Sequence, residues 1–89
     1  MVRVTFPQVL QRHVTCPPVD VEAATVREAL DAAFAIHPTA RGYLLDDAGA
    51  LRQHVTLFVD GEVVRERRRL AQPVQPKSRI DVLQALSGG

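Results

Sequence analysis

The sequence has little cysteine and no long apolar run. Its single cysteine, Cys16, has no disulfide partner and no second cysteine for a metal site, which agrees with a reducing compartment. No apolar stretch approaches the roughly 20 residues that a membrane-spanning helix needs. Residues 1–6 alternate like a strand and do not resemble a signal peptide. These features predict a cytoplasmic protein without a membrane partner.

The sequence also lacks an excess of positive or negative charge. The 11 basic and 10 acidic residues leave a net charge of +1, so no overall field attracts nucleic acid or an anionic membrane. The exception is residues 65–69, which include four arginines. No aromatic residue is interleaved with them, so the stacking platform of a single-strand nucleic-acid binder is missing. Two interpretations stay open for this segment: a solvated loop, or a patch that meets an acidic partner surface.

Candidates for catalysis or metal binding are few. A chain of 89 residues forms one domain and has little room for a deep active-site cleft. His13, His37 and His54 lack the short spacing of a metal site, and no local feature predicts a reactive thiol at Cys16. We therefore expect no metal and no catalytic side chain.

The first half of the chain predicts two extended segments and two helices. Residues 2–6 alternate, and residues 9–15 read as a second strand that completes an opening hairpin. Thr25 and Glu28 have the spacing of a capping box. Apolar residues at helical intervals then predict a helix over 25–36, with Arg27 on its water-facing side. Pro38 suits the first position of a second short helix that ends near residue 45.

The second half reads as strands. After a predicted turn over 46–49, residues 54–59 are rich in β-branched and aromatic side chains. Asp60 and Gly61 form a two-residue hairpin signal that leads into residues 62–64. Residues 65–77 read as a loop in which a short turn or edge strand around Leu70 stays open, and residues 80–85 read as a last strand. The pattern predicts an α+β fold in which a mixed sheet packs on one main helix, the β-grasp, over residues 1–86.

The chain ends in Ser87, Gly88 and Gly89, directly after an apolar last strand. Combined with the β-grasp pattern, this ending resembles the sulfur carriers of the ThiS and MoaD families. The resemblance covers nearly the whole chain: the opening valine-rich strands, the capped helix, the strand–turn–strand unit over 58–63, and residues 82–89. Two departures are Asp60, where asparagine is more usual, and the basic, proline-rich loop after residue 65.

The resemblance implies a ubiquitin-like domain with a flexible tail over 87–89. An E1-like enzyme of the ThiF or MoeB type would use ATP to adenylate the carboxylate of Gly89. A sulfur donor, such as a cysteine desulfurase or a rhodanese, would convert the adenylate to a thiocarboxylate, and a downstream synthase would take the sulfur. Gly88 and Ser87 would thread the partner's channel, since glycine adopts conformations closed to other residues. On this view the carrier is a monomeric substrate with no bound cofactor.

The resemblance also implies contact through the sheet face, which makes Phe58, Leu83 and Leu86 candidate interface residues. Alternation alone places Phe58 and Leu83 in the core equally well. Two other functions stay open: a protein modifier joined through Gly89 to lysine amines, and a non-covalent binding module. The sulfur acceptor is open too, among thiamin, molybdopterin and a more specialised product. In the molybdopterin case the chain would be the small subunit of a synthase.

Overall fold

Five strands and two helices make up the computed structural model, which describes residues 1–12 and 15–84. The elements are β1 (Val2–Thr5), a 3-10 turn (Leu10–Arg12), β2 (Val19–Val21), α1 (Val26–Ile36), α2 (Pro38–Leu44), β3 (Val55–Val59), β4 (Glu62–Val63) and β5 (Arg79–Gln84). His13 and the predicted tail with Leu86 lie outside the described residues.

The strands form one mixed sheet in the order β2-β1-β5-β3-β4. β5 therefore lies in the middle, although it is the last of the described strands in sequence. It runs parallel to β1, with Ile80 beside Val4, and antiparallel to β3, with Val82 beside Leu57. These four side chains are buried. The predicted α+β architecture with a mixed sheet is confirmed.

Helix α1 begins at the predicted capping box. The Oγ1 atom of Thr25 accepts a hydrogen bond from the backbone N–H of Glu28 at 3.2 Å, and Glu28 Oε1 accepts one from the N–H of Ala24 at 2.8 Å. These bonds satisfy N–H groups that have no partner within the helix. The buried residues of α1 are the predicted stripe: Val26, Ala29, Leu30, Ala33 and Phe34. Helix α2 begins at Pro38, as predicted.

The prediction of a strand over residues 9–15 is wrong. Leu10 is 1% exposed and anchors the 3-10 turn in the core. The side-chain amide of Gln11 accepts a hydrogen bond from the N–H of Cys16 and donates one to its carbonyl, at 2.9 and 2.7 Å. These two bonds satisfy backbone groups that would otherwise be free to join a strand ladder. The antiparallel partner of β1 is instead β2, after the two prolines.

The connection between β3 and β4 is the predicted two-residue turn. Asp60 and Gly61 both have positive φ, 50° and 87°, as the hairpin turn with matching twist requires. The carboxylate of Asp60 also accepts hydrogen bonds from the hydroxyl of Ser78 and the N–H of Arg79, both at 2.9 Å. One side chain thus joins this turn to the start of β5.

Residues 65–77 are a loop, as predicted, and the alternative of an edge strand around Leu70 is not observed. Pro73 forms an isolated bridge with Thr25.

Candidate functional site

The central strand β5 ends beside the first residue of β3. Gln84 pairs with Val55, and β5 is hydrogen-bonded to a neighbouring strand on both of its edges. Residues 85–89 continue from Gln84, and a segment of five residues spans at most about 17 Å when fully extended. The sheet therefore holds the point from which the chain continues toward Gly89, while Ser87, Gly88 and Gly89 lie outside the described residues.

The two faces of the sheet differ sharply in environment at β3 and β5. Along β3, Val55, Leu57 and Val59 are buried, while Thr56 and Phe58 point to the opposite face and are only half-buried. Register places Leu83 beside Thr56 on that outer face. The buried face carries the core, so the outer face is the one open to a partner.

An apolar patch occupies part of this outer face, and we define it as Phe58, Val63 and Leu83. Phe58 lies directly opposite Val63 on β4, and Leu83 is its diagonal neighbour on β5, within reach of a long side chain. Leu83 is 49% exposed and Val63 is 44% exposed. Val63 is not among the interface residues predicted from the sequence, although the two-residue turn at Asp60 and Gly61 implies its pairing with Phe58.

The β1 and β2 side of the outer face is polar. Arg3 forms a two-pronged ion pair with Asp20, at 3.0 and 3.1 Å, and its hydrogen bond lowers the pKa of Asp20. Asp81 accepts hydrogen bonds from the hydroxyl of Thr5 and the Nε of Arg79, both at 2.7 Å. The apolar patch is therefore bordered by paired charges on one side.

Residues 65–69, which we call the arginine loop, are attached to the rest of the domain through hydrogen bonds from guanidinium groups. Arg67 Nη2 donates to the carbonyls of Arg52 and Val55, at 2.7 and 2.5 Å.

The prediction that Arg27 faces water is wrong. It is half-buried and donates to the carbonyls of three residues at 2.7 to 3.2 Å. The three residues are Gly49, Arg68 and Arg69. Neither arginine was recognisable as a loop anchor, because the carbonyls come from distant segments.

A groove of about 610 Å³ lies beside this loop. We call it the cationic groove, because three arginines, Arg52, Arg67 and Arg68, line it together with His54 and one acidic residue, Asp46. Within residues 1–12 and 15–84, the ion pairs are Arg3 with Asp20 and Arg79 with Asp81, so no carboxylate pairs with the arginines of the groove.

Glu66 is the acid closest in sequence to these arginines, and its carboxylate is directed to the backbone. It accepts hydrogen bonds from the N–H groups of Arg68, Arg69 and Ala71 at 2.5 to 3.1 Å. These hydrogen bonds lower the pKa of Glu66, and the bond from the N–H of Arg69 has the largest effect. Within the described residues Glu66 forms no ion pair with an arginine side chain, so it does not neutralise the charge of the loop through a direct contact.

The remaining candidates from the sequence do not assemble. Over the described ranges no three His, Cys, Asp or Glu side chains lie together as a metal site would need. Cys16 is buried, and burial raises the pKa of its thiol, which favours the unreactive protonated form. No helix found in residues 1–12 and 15–84 is both long and apolar enough to cross a bilayer.

Solved structures share this fold over nearly the full chain. A chain of the BexX/CysO complex of Amycolatopsis orientalis is 27% identical, with a TM-score of 0.83 and 100% of both chains covered. CysO of Mycobacterium tuberculosis is 24% identical, with a TM-score of 0.80 and coverage of 97% of this chain and 100% of that one. SAMP1 from Haloferax volcanii is 24% identical, with a TM-score of 0.82 and coverage of 99% and 98%. No match was found among curated protein sequences.

The sheet order, the capped helix and these neighbours define a ubiquitin-like protein of the β-grasp fold. The model of the ThiS family matches residues 8–89, and the chain belongs to that family. It is accordingly a small ubiquitin-like protein of the sulfur-carrier class.

Proposed function

We propose that the protein is a sulfur carrier whose Gly89 carboxylate is adenylated by an E1-like enzyme and then converted to a thiocarboxylate. The carboxylate oxygen attacks the α-phosphate of ATP, and pyrophosphate leaves. The sulfur of a persulfide on the donor then displaces AMP, and reduction of the acyl disulfide by a thiol releases the thiocarboxylate. The carrier supplies the acyl group, and its partners supply the catalysis.

One observation supports this proposal most strongly: the last strand is the central strand of the sheet. Because β5 pairs with β1 over residues 79–81 and with β3 as far as Gln84, the sheet holds the chain to within five residues of Gly89. A partner that binds the domain thereby restricts where the terminal carboxylate can go. Positioning of this kind replaces a bimolecular encounter with a local one.

The apolar patch is the second support. Phe58, Val63 and Leu83 share the face of the sheet next to the end of β5, and half-exposed large apolar side chains bordered by polar ones are typical of protein interfaces. We propose this patch as the docking surface for the adenylating partner, and Leu86, which lies outside the described residues, as a further contact. The neighbouring structure of a BexX/CysO complex supports a partner for a protein of this fold.

A protein modifier is the second candidate. SAMP1 of Haloferax volcanii is a small archaeal modifier protein, and its similarity to this chain supports the comparison at the level of the fold. The two functions share activation at Gly89 and differ in the acceptor, which is sulfur in one and a lysine amine in the other.

Intact-protein mass spectrometry tests the proposal. The purified chain is incubated with ATP, a sulfur donor and an E1-like enzyme from the same cell. We expect a mass gain equal to the replacement of one oxygen by sulfur, and its loss when Gly89 is deleted. The control is a ThiS-type carrier that is converted under the same conditions. Conversion of that control alone would contradict the proposal and favour a non-covalent binding module.

A further inference from the structure

The cationic groove keeps its positive charge because its arginines are fixed by neutral partners. Arg67 is held by two carbonyl oxygens, and Arg52 Nε donates to the carbonyl of Gly42 at 2.9 Å. A carbonyl orients a guanidinium without cancelling its charge, whereas a carboxylate would neutralise it. Arg68, which is exposed, adds a third positive charge at the rim.

The groove lies at the end of the sheet from which the tail continues. Arg67 donates to the carbonyl of Val55, and Val55 is the register partner of Gln84. His54, which lines the groove, comes directly before Val55 in the sequence. A protein that takes residues 85–89 into its own site must approach this end of the sheet, and it then lies against the groove as well.

We propose that the cationic groove binds an acidic segment of the protein that activates Gly89. The proposal rests on the proposed function, and it adds a second, electrostatic contact to the apolar patch. The groove presents fixed positive charges without carboxylate partners in the described part of the chain, which is the complement of an acidic surface. Contacts of this kind raise the rate of association and fix orientation more than they raise affinity.

RNA fits the same surface less well. Aromatic rings stacked against bases supply much of the binding energy in single-strand recognition, and no Phe, Tyr or Trp lines the groove. Asp46 also lines the groove, and its Oδ1 accepts hydrogen bonds from the N–H groups of Ala48 and Ala50 at 2.9 and 3.0 Å. Its charge acts against any anionic ligand and does not distinguish RNA from an acidic peptide. A protein segment with a few acidic side chains is the better match.

Adenylation kinetics test the proposal by comparing a charge reversal in the groove with the same charge reversal at the opposite end of β5. Arg68→Glu and Lys77→Glu make the same change in charge, and both residues are exposed. Arg68 is in the groove, whereas Lys77 precedes β5 at the end of the strand opposite Gln84. We expect Arg68→Glu to raise the KM for the carrier roughly 10-fold with little change in kcat. At about 1 M salt, where the Debye length falls to about 3 Å, the difference should nearly vanish. Equal KM values for the two variants would overturn the proposal.

A second measurement does not need the enzyme, so it distinguishes failure of this inference from failure of the proposed function. Backbone amide shifts of the labelled full chain are followed by NMR during titration with an oligoglutamate peptide. We expect shifts at residues 49–54 and 65–69 that weaken in Arg68→Glu and persist in Lys77→Glu. Shifts spread evenly over the surface would overturn the proposal. So would tighter binding at the same residues by an oligouridylate of equal charge, which would assign the groove to nucleic acid.

Discussion

Arg67 Nη2 lies 2.5 Å from the carbonyl oxygen of Val55, so one guanidinium joins the arginine loop to the first residue of β3. The same nitrogen lies 2.7 Å from the carbonyl oxygen of Arg52. Of the four arginines in residues 65–69, Arg67 is the half-buried one and the other three are exposed. A segment that reads as a uniform basic run therefore divides into a structural residue and surface charges.

Arg67→Ala should destabilise the fold, because it leaves two carbonyl groups at the start of β3 without their charged donor. Loss of such bonds typically costs about 1 to 3 kcal/mol. Arg68→Ala, an exposed neighbour, should change the free energy of unfolding by less than about 0.5 kcal/mol. Urea unfolding of the two variants checks the difference. Equal stability of both would show that the loop is not anchored through Arg67.

Asp60→Ala should be destabilising for two reasons. It removes the acceptor of the buried Ser78 hydroxyl and of the Arg79 N–H, and it places alanine at a φ of 50°. Together these effects should cost about 2 to 4 kcal/mol.

Two companion variants separate the causes at position 60. Asp60→Gly relieves the backbone strain and loses only the hydrogen bonds, so it should fall between wild type and alanine. Asp60→Asn tolerates positive φ but keeps only one of the two acceptor oxygens, so it should lie between wild type and the glycine variant. Thermal denaturation gives the order, and a stable alanine variant would refute the assignment.

Acid stability should depend on Asp81. Burial by itself would raise its pKa, but hydrogen bonds from Arg79 and Thr5 outweigh burial and lower the pKa. The contribution of Asp81 is then fully present above its unfolded pKa of about 3.9, and it is lost as the pH falls through the lower folded value.

Asp81→Asn provides the measurement for this pH dependence. The stability difference between wild type and variant should be constant from neutral pH to about pH 5 and should shrink below about pH 4. Urea midpoints at a series of pH values report it. A difference that grows on acidification would mean that the folded pKa is raised.

Leu83→Ser tests the apolar patch. Because Leu83 is 49% exposed, the substitution should have little effect on stability, yet it should raise the KM of the adenylation step roughly 10-fold if the patch docks the partner. Ile36→Ser is the matched control, since Ile36 is an exposed apolar residue, 54% exposed, on α1. The same loss in both variants would exclude a specific role for the patch.

The lysine content limits what an activated Gly89 can acylate. Lys77 is the sole lysine of the sequence. Its Cα lies about 23 Å along the chain from Gln84 when β5 is extended, and residues 85–89 reach at most about 17 Å. The lysine side chain closes the gap within one copy only if it and the segment 85–89 are both fully extended toward each other along β5, a geometry with a high entropic cost. With ATP and the activating enzyme but no sulfur donor, an isopeptide at Lys77 should therefore form mainly between two copies. Its yield should rise with protein concentration and disappear in Lys77→Arg. Intramolecular rings at high dilution would contradict this geometry.

Local signals in the sequence predicted the elements well. The Thr25 capping box, the helical stripe of α1 and the turn at Asp60 and Gly61 depend on residues near one another in the chain, and each is confirmed. The placement of β2 was missed, because the Gln11 side chain competes locally for the backbone groups of Cys16.

The candidate site was harder to predict. Alternation could not decide whether Phe58 and Leu83 face the core, since both faces of a central strand admit apolar residues. Pairing with Val63 and Thr56 places them on the outer face. The anchoring roles of Arg27 and Arg67 depend on carbonyls 12 to 42 residues away, which no local pattern encodes.

The position of β5 also bears on how the protein is made. Without residues 79–84, β2 and β1 form one pair and β3 and β4 another, and no hydrogen bonds join the two pairs. The sheet can close only after residues 79–84 have left the ribosome, because the bridging strand is translated last among the described strands. A chain that terminates before residue 79 lacks the strand that joins the two pairs, and with it Leu83 of the apolar patch. Such a fragment should therefore not compete with the complete sheet for a partner that binds the patch.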